Sequence, residues 1–179
     1  MFEVVPGTEA RYRVKEQLAR LNFPTDAVGV TQEVKGTITL GPDNTVVIQG
    51  SRLVVDLRTL RSDEGRRDSY IRENTLETAR YPLAEFAPTR IVGLPAPLPM
   101  SGEVRFQMAG DMTLHGVTRP LTWEVNATFG DQNVTGRATA SFRFGDFAMR
   151  IPRVFLVLSV EDDIRLEVEL RLQRKESGA

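Results

Sequence analysis

Side chains able to do acid, base or nucleophilic chemistry are few in this chain, and they are poorly arranged for it. There is one histidine, His115, and no cysteine. A Ser-His-Asp arrangement would have to use His115, which stands on the polar face of an alternating run just before Gly116. That is the position of a turn residue bonded within its own hairpin rather than of a general base. Metal centres built from several imidazoles lack their ligands, and so does any thiolate site or thiol nucleophile. The paired carboxylates Asp162 and Asp163 fall in an acidic turn, and no glycine-rich phosphate loop precedes a helix. Arg67 and Asp68 are adjacent and so do not face each other on a helix. They suit separate anchoring bonds at a rim, or, for Arg67, a charge-assisted bond to a ligand's polar head. Nothing here gives a positive sign of an enzyme.

The elements that must position these groups are strands. Residues 101–144 hold three strand-length runs with apolar residues at every second position. Val104, Phe106, Met108, Met112 and Leu114 share one face of the first run. Leu121, Trp123, Val125, Ala127 and Phe129 share one face of the second, and Val134, Gly136, Ala138, Ala140, Phe142 and Phe144 of the third. Period two buries one face and wets the other, as in an antiparallel sheet. Gly136, Ala138 and Ala140 are small where bulk is expected, which predicts room beside that strand.

A pass along the chain finds about nine extended segments. Ala10–Val14 is short and leads into a helical turn over Lys15–Pro24. Val28–Leu40 and Asn44–Leu57 form a hairpin across Gly41-Pro42-Asp43-Asn44, with a bulge at Gly50-Ser51 where the apolar phase changes. A polar helix runs from Asp63 to about Asn74, capped by Ser62 or Asp63. Leu83–Val92 is the next strand, followed by the proline-rich loop Leu94–Met100. After the linker Gly145–Arg153, Phe155–Val160 and Ile164–Leu172 make a closing hairpin across Glu161-Asp162-Asp163. Sequential strands joined by tight turns predict an up-and-down meander, and closure would remove both exposed edges. The expected fold is all-β, an antiparallel eight-stranded barrel with one short helix at the rim. Its interior either holds one small ligand or fills with side chains such as Phe106, Trp123 and Phe142.

Composition narrows the class further. The 179 residues suffice for one well-buried core, and a single domain over 1–179 is expected. With 23 basic against 24 acidic residues there is no long-range field to attract nucleic acid. No apolar run approaches the roughly 18 residues of a membrane span. No basic-plus-apolar signal segment precedes Phe2-Glu3-Val4, and an absence of cysteine suits either side of a bacterial membrane, the cytoplasm included.

Two motifs then stand out. Gly110-Asp111-Met112-Thr113-Leu114-His115-Gly116-Val117-Thr118-Arg119-Pro120-Leu121 resembles the His-Gly-x-Thr-Lys/Arg-Pro signature of the YceI-like family. Upstream, Val55-Asp56-Leu57 with Leu60, then Arg67-Asp68, then Tyr81-Pro82 with Phe86, is similar to that family's other landmark, and Arg143-Phe144-Gly145 to a third. The likeness spans roughly Gly36 to Leu172. The chain departs from the pattern with Pro6-Gly7-Thr8-Glu9-Ala10 before the first long strand, a longer Val14–Ala27 connection, and Thr75-Leu76-Glu77 in place of aromatics.

The resemblance implies a lipocalin-like barrel that binds, sequesters or transports a long apolar isoprenoid, of polyprenyl or quinone type, without catalysis or a cofactor. It also implies a periplasmic or other extracytoplasmic setting. Expected ligand-facing residues are Tyr70 and Ile71 at the mouth, with Arg67 near a polar head. By parity, Phe86, Phe106, Met108, Trp123, Ala138, Ala140, Phe142 and Phe144 point inward. Apolar barrel mouths can also meet, which makes a homodimer an expectation. The competing reading is a packed barrel that acts as a protein-interaction or stress-response module with no lipid inside.

Overall fold

A computed structural model describes residues 1–175. Ten strands form one antiparallel sheet: β1 (Phe2–Val4), β2 (Glu9–Leu18), β3 (Thr25–Thr31), β4 (Val34–Ile38), β5 (Arg52–Asp56), β6 (Leu83–Val92), β7 (Gly102–Leu114), β8 (Val117–Phe129), β9 (Asn133–Phe142) and β10 (Val157–Arg174). β1 and β2 are two halves of one bent stave, and so are β3 and β4. β1 pairs β4 through Phe2↔Ile38, and β2 pairs β3 through Ala10↔Thr31, in nearly continuous register. Both halves of the first stave also pair with β10, which closes the sheet into an eight-stave, up-and-down barrel.

The seam of closure runs along β10. Ile164–Gln173 pairs with β9 on one edge, while the other edge takes β2 and then β1. Between those two partners the chain kinks at Pro6-Gly7, with Gly7 at φ +94. A Cβ at Gly7 would stand 2.9 Å from Arg171 Cδ. Thr8, 2% exposed, fills the gap in the ladder: its hydroxyl donates to Arg171 O at 3.1 Å and accepts from Arg171 N–H at 3.0 Å. Val5 N–H bonds the same carbonyl. The kink therefore leaves neither backbone group of Arg171 unpaired, as burial demands.

Several expected elements differ. The Lys15–Pro24 segment is no helical turn: β2 continues to Leu18, and Gln17 Nε2 bonds Leu21 O at 2.6 Å to hold the turn beyond it. The expected strand Val28–Leu40 breaks at Gln32-Glu33, where Val34 N–H bonds Gln32 O. Of Asn44–Leu57 only β5 is strand. The turn at Gly41-Pro42-Asp43-Asn44 is real, with Asp43 and Asn44 at positive φ, but Ile48–Gly50 is a second 3-10 turn rather than a bulged ladder. Glu161-Asp162-Asp163 is not a hairpin turn. It holds no glycine for a tight reversal, and β10 runs straight through it with a bulge between Val160 and Ile164. Asp162 accepts from Phe144 N–H at 2.9 Å, which ties the bulge to the end of β9.

The helix α1 (Gly65–Tyr70) is capped by Glu64, whose carboxylate accepts from Arg66 N–H. It widens into a π turn over Ile71–Thr75, closed by Leu76 N–H to Ile71 O at 2.8 Å. β6 to β9 follow the sequence alternation closely, including Pro120. Pro120 sits where β8 has run past β9, whose pairing starts at Glu124↔Thr139, so its missing N–H costs no ladder bond there. Gly136 is small for a second reason besides the interior space its position suggested. A Cβ there would lie 2.5 Å from Asn126 O and 2.8 Å from Ala127 Cα, so close approach of β8 dictates the glycine.

Candidate functional site

The barrel interior is apolar and incompletely filled. A cavity of about 140 Å³ occupies the end that carries α1, the π turn and a strap over residues 144–156; counting the open space at its mouth the volume is about 1060 Å³. A smaller cavity of about 40 Å³ lies at the other end, bounded by Phe2, Ile38, Phe129 and Leu172 among others. Trp123 lines the larger and its cross-strand neighbour Met108 the smaller, so this layer divides the two. Phe86 packs edge-on against Trp123 within it, at 6.1 Å between ring centroids.

The larger cavity collects side chains from most of the barrel. Val14 and Ala27 come from the first hairpin, Leu57 and Leu60 from the turn after β5, and Ile71, Thr75 and Leu76 from the π turn. Met112, Leu114, Trp123 and Phe142 come from β7 to β9, and Phe144, Met149, Pro152 and Val154 from the strap. Of the residues expected to face a ligand, Arg67, Ile71, Trp123, Phe142 and Phe144 line this cavity, and Phe106 and Met108 line the smaller one. Phe86, Ala138 and Ala140 line neither: Phe86 and Ala138 are buried in wall packing, and Ala140 is partly buried against it. Tyr70 also lines neither and turns its hydroxyl toward Arg153 N–H. The small residues that make the space are Ala10, Ala27 and Ala84, on β2, β3 and β6.

Charged residues, Arg11, Glu16, Arg67 and Glu167, also border the apolar wall. Glu16 lies on the inward face of β2 with Val14 and is 6% exposed. Arg67 of α1, 14% exposed, reaches it with Nη1 at 2.7 Å. Its Nη2 bonds Ser62 Oγ at 3.3 Å and pairs with Asp63, while Ser62 donates both N–H and O–H to the buried Asp68. The pair thus anchors the rim helix to the barrel wall. Sequence parity missed Glu16 because it lay in a segment read as helical. Tyr12, beside this group, has its phenol pushed up to about 12, mainly by burial. Arg67 opposes that shift, and Asp68, Glu16 and Asp63 add to it. Three buried donors on residues that line the cavity, Arg11 Nε, Arg67 Nε and Trp123 Nε1, have no hydrogen-bond partner among the described residues.

His115 is structural, though its bonds are not to its own hairpin. With φ +52 it forms the β7–β8 turn together with Gly116 at φ +74, the conformation that a two-residue hairpin turn requires. Its ring nitrogens bond Phe147 O at 3.1 Å and the Glu77 carboxylate, and Tyr81 packs edge-on at 4.9 Å. The histidine thereby ties the hairpin to the strap and to the segment after the π turn. It lines neither cavity, and Asp111 is exposed. Among the described residues, no three or more acidic or histidine groups are placed to hold a metal. No helix among them is long and apolar enough to cross a membrane.

A closed antiparallel barrel whose apolar interior is covered by a helix and a strap is of the lipocalin-like kind. The chain belongs to the YceI-like domain family, whose model matches residues 8–172. It is 32% identical over 115 residues to a UPF0312 protein of Pseudomonas putida strain W619, covering 58% of this chain and 55% of that protein. A UPF0312 protein of Vibrio vulnificus strain YJ016 is 29% identical over 100 residues, covering 55% of this chain and 49% of that protein. The chain thus aligns with about half the length of the curated relatives it matches. Among solved structures, a polyisoprenoid binding domain from Saccharophagus degradans superposes with a TM-score of 0.71 at 12% identity, covering 97% of this chain and 98% of that one. BcnA of Burkholderia cenocepacia gives 0.68 at 15% identity, covering 94% and 96%. At these identities the likeness is one of fold.

Breaking the anchor should be costly. Arg67→Met leaves Glu16 buried without a partner and is expected to destabilise by about 3 kcal/mol in denaturant unfolding. Adding Glu16→Leu should recover most of that loss in the double variant. Tyr12 sets an alkaline limit. The unfolded phenol ionises near 10 and the folded one near 12, so its contribution is intact below pH 10 and lost as pH rises towards 12. Tyr12→Phe should flatten that part of the stability profile measured by urea titration.

Proposed function

We propose that the protein binds a long-chain isoprenoid or similar apolar lipid inside the barrel and carries or sequesters it without chemical change. The observation that carries this reading is the larger cavity, walled by aliphatic and aromatic side chains from both faces of the closure and capped by a helix and a strap. Membership of the YceI-like family and the fold shared with a polyisoprenoid binding domain support it. An apolar cavity near 150 Å³ accepts a molecule the size of benzene, so the enclosed part holds a section of tail and the mouth takes the rest. The smaller cavity lies beyond Met108, a flexible side chain suited to moving aside for a longer tail.

Burial supplies the affinity. At about 0.8 kcal/mol per CH₂, some fifteen tail carbons give on the order of 12 kcal/mol gross. Ordering the tail and losing its free motion takes back several kcal/mol. Trp123 Nε1 and Arg67 Nε add donors for an acceptor oxygen, which favours a quinone-type carbonyl or an oxygenated head over a plain hydrocarbon. The lipid is cargo rather than a cofactor, and an extracytoplasmic location would place the protein between membrane pools of such lipids.

Trp123 is the sole tryptophan and lines the cavity, so it reports occupancy directly. A long-tailed quinone should quench its fluorescence in a saturable, stoichiometric way, and a polyprenyl alcohol should shift it. Ala27→Phe, which projects a ring into the cavity, should weaken binding about tenfold or more while the fold stays intact. Unchanged affinity in that variant, or no saturable response from the wild type, would count against a cargo held there.

A further inference from the structure

Two connected loops at the cavity end hold large apolar side chains out in solvent. The β2–β3 turn exposes Phe23 at 61%, and the strap and first residues of β10 expose Phe155 at 90%, Leu156 at 60% and Leu158 at 69%. Leu18 and Val157 are cross-strand partners, and Ala19 N–H bonds Leu156 O at 2.9 Å, so the loops form one tip. Single exposed apolar residues need no account, but contiguous ones on two joined loops do.

The strap has two faces. Pro152, Val154 and Val157 line the cavity, while Arg153, Phe155, Leu156 and Leu158 lie outward between and beside them. Charge on the two segments of the tip themselves has one sign, with Asp26 and Glu161-Asp162-Asp163 only beyond their ends. Within residues 18–25 and 150–159 the charged side chains are Arg20, Arg150 and Arg153, all exposed, with no acid among them. Phenylalanine and leucine beside arginine suit the boundary between headgroups and acyl chains of an anionic bilayer. Arginine can lay its stem along apolar surface there and keep its charge at the headgroup level.

We propose that this tip docks on an anionic lipid bilayer, so that the cavity exchanges its apolar cargo with the membrane through the strap. The exchange rests on the cargo reading above; the docking stands on the tip itself. Docked this way, the strap lies between acyl chains and the cavity, and a tail can cross past it without entering water.

Co-sedimentation with phosphatidylcholine vesicles, with and without phosphatidylglycerol, tests the docking. Wild type should partition onto the vesicles that contain phosphatidylglycerol, less so as salt is raised. The triple variant Phe23→Ser, Phe155→Ser, Leu158→Ser should lose binding by about tenfold or more. Arg20→Glu with Arg153→Glu should lose the preference for phosphatidylglycerol, and Ile48→Ser with Met100→Ser, exposed elsewhere on the chain, should bind as wild type does. Wild type left in the supernatant, or a triple variant that sediments equally well, would overturn the proposal. So would a solution dimer that the triple variant dissociates, because the tip would then belong to a second copy. Occupancy loaded from detergent micelles is read separately. A triple variant that fills normally yet ignores vesicles supports docking, whereas a wild type that binds vesicles but never fills keeps the docking and removes the cargo.

Discussion

An antiparallel sheet of this length has to satisfy both of its edges, and here it does so on a single strand. β10 gives one edge to β9 and divides the other between β2 and β1, with the Thr8 hydroxyl bridging the kink between them. A closed ring has an inside that water does not reach, and every alternate side chain must then be apolar or paired. The apolar cavity, the buried ion pair and the need for a lid all follow from that closure.

The lid is where polarity returns. α1 and the π turn are mostly polar and would not stay on an apolar opening by hydrophobicity alone. The Arg67–Glu16 pair, with Ser62 and Asp68 behind it, fixes the helix to the first hairpin. His115 fixes the strap from the other side through Phe147 and Glu77. The residues that resemble catalytic or ligand-binding groups in the sequence therefore hold the two covers of the cavity. Little charge is left facing the interior, which suits an occupant that is itself mostly hydrocarbon.

How much of this the sequence reveals depends on whether local pattern and tertiary demand agree. From β6 to β9 the alternation is regular, the turns are short, and strand bounds and inward faces can be read almost residue by residue. The first third is harder. Glu16 interrupts the apolar period of β2 because its partner comes from α1, 51 residues away, and no local signal records that. The bulge at Glu161-Asp162-Asp163 looks like a turn because acids cluster in turns, yet Asp162 is placed to cap Phe144 N–H. Small residues on β9 suggested space, and Gly136 does border the smaller cavity while also admitting the close approach of β8, but the room of the larger cavity comes from alanines on β2, β3 and β6. Parity identifies which residues point inward; it does not identify which of them touch a void, because that depends on the strands opposite.

The central claim is that the barrel is a container whose cargo is a long apolar lipid. Native mass spectrometry of the purified protein, followed by organic extraction and identification of what is released, tests it most directly. The account predicts a stoichiometric adduct that extracts as a long-tailed, oxygen-bearing lipid, or its appearance on incubation with a quinone or polyprenyl compound. A protein that keeps its bare mass after such incubation would contradict it and leave a barrel whose interior serves packing alone.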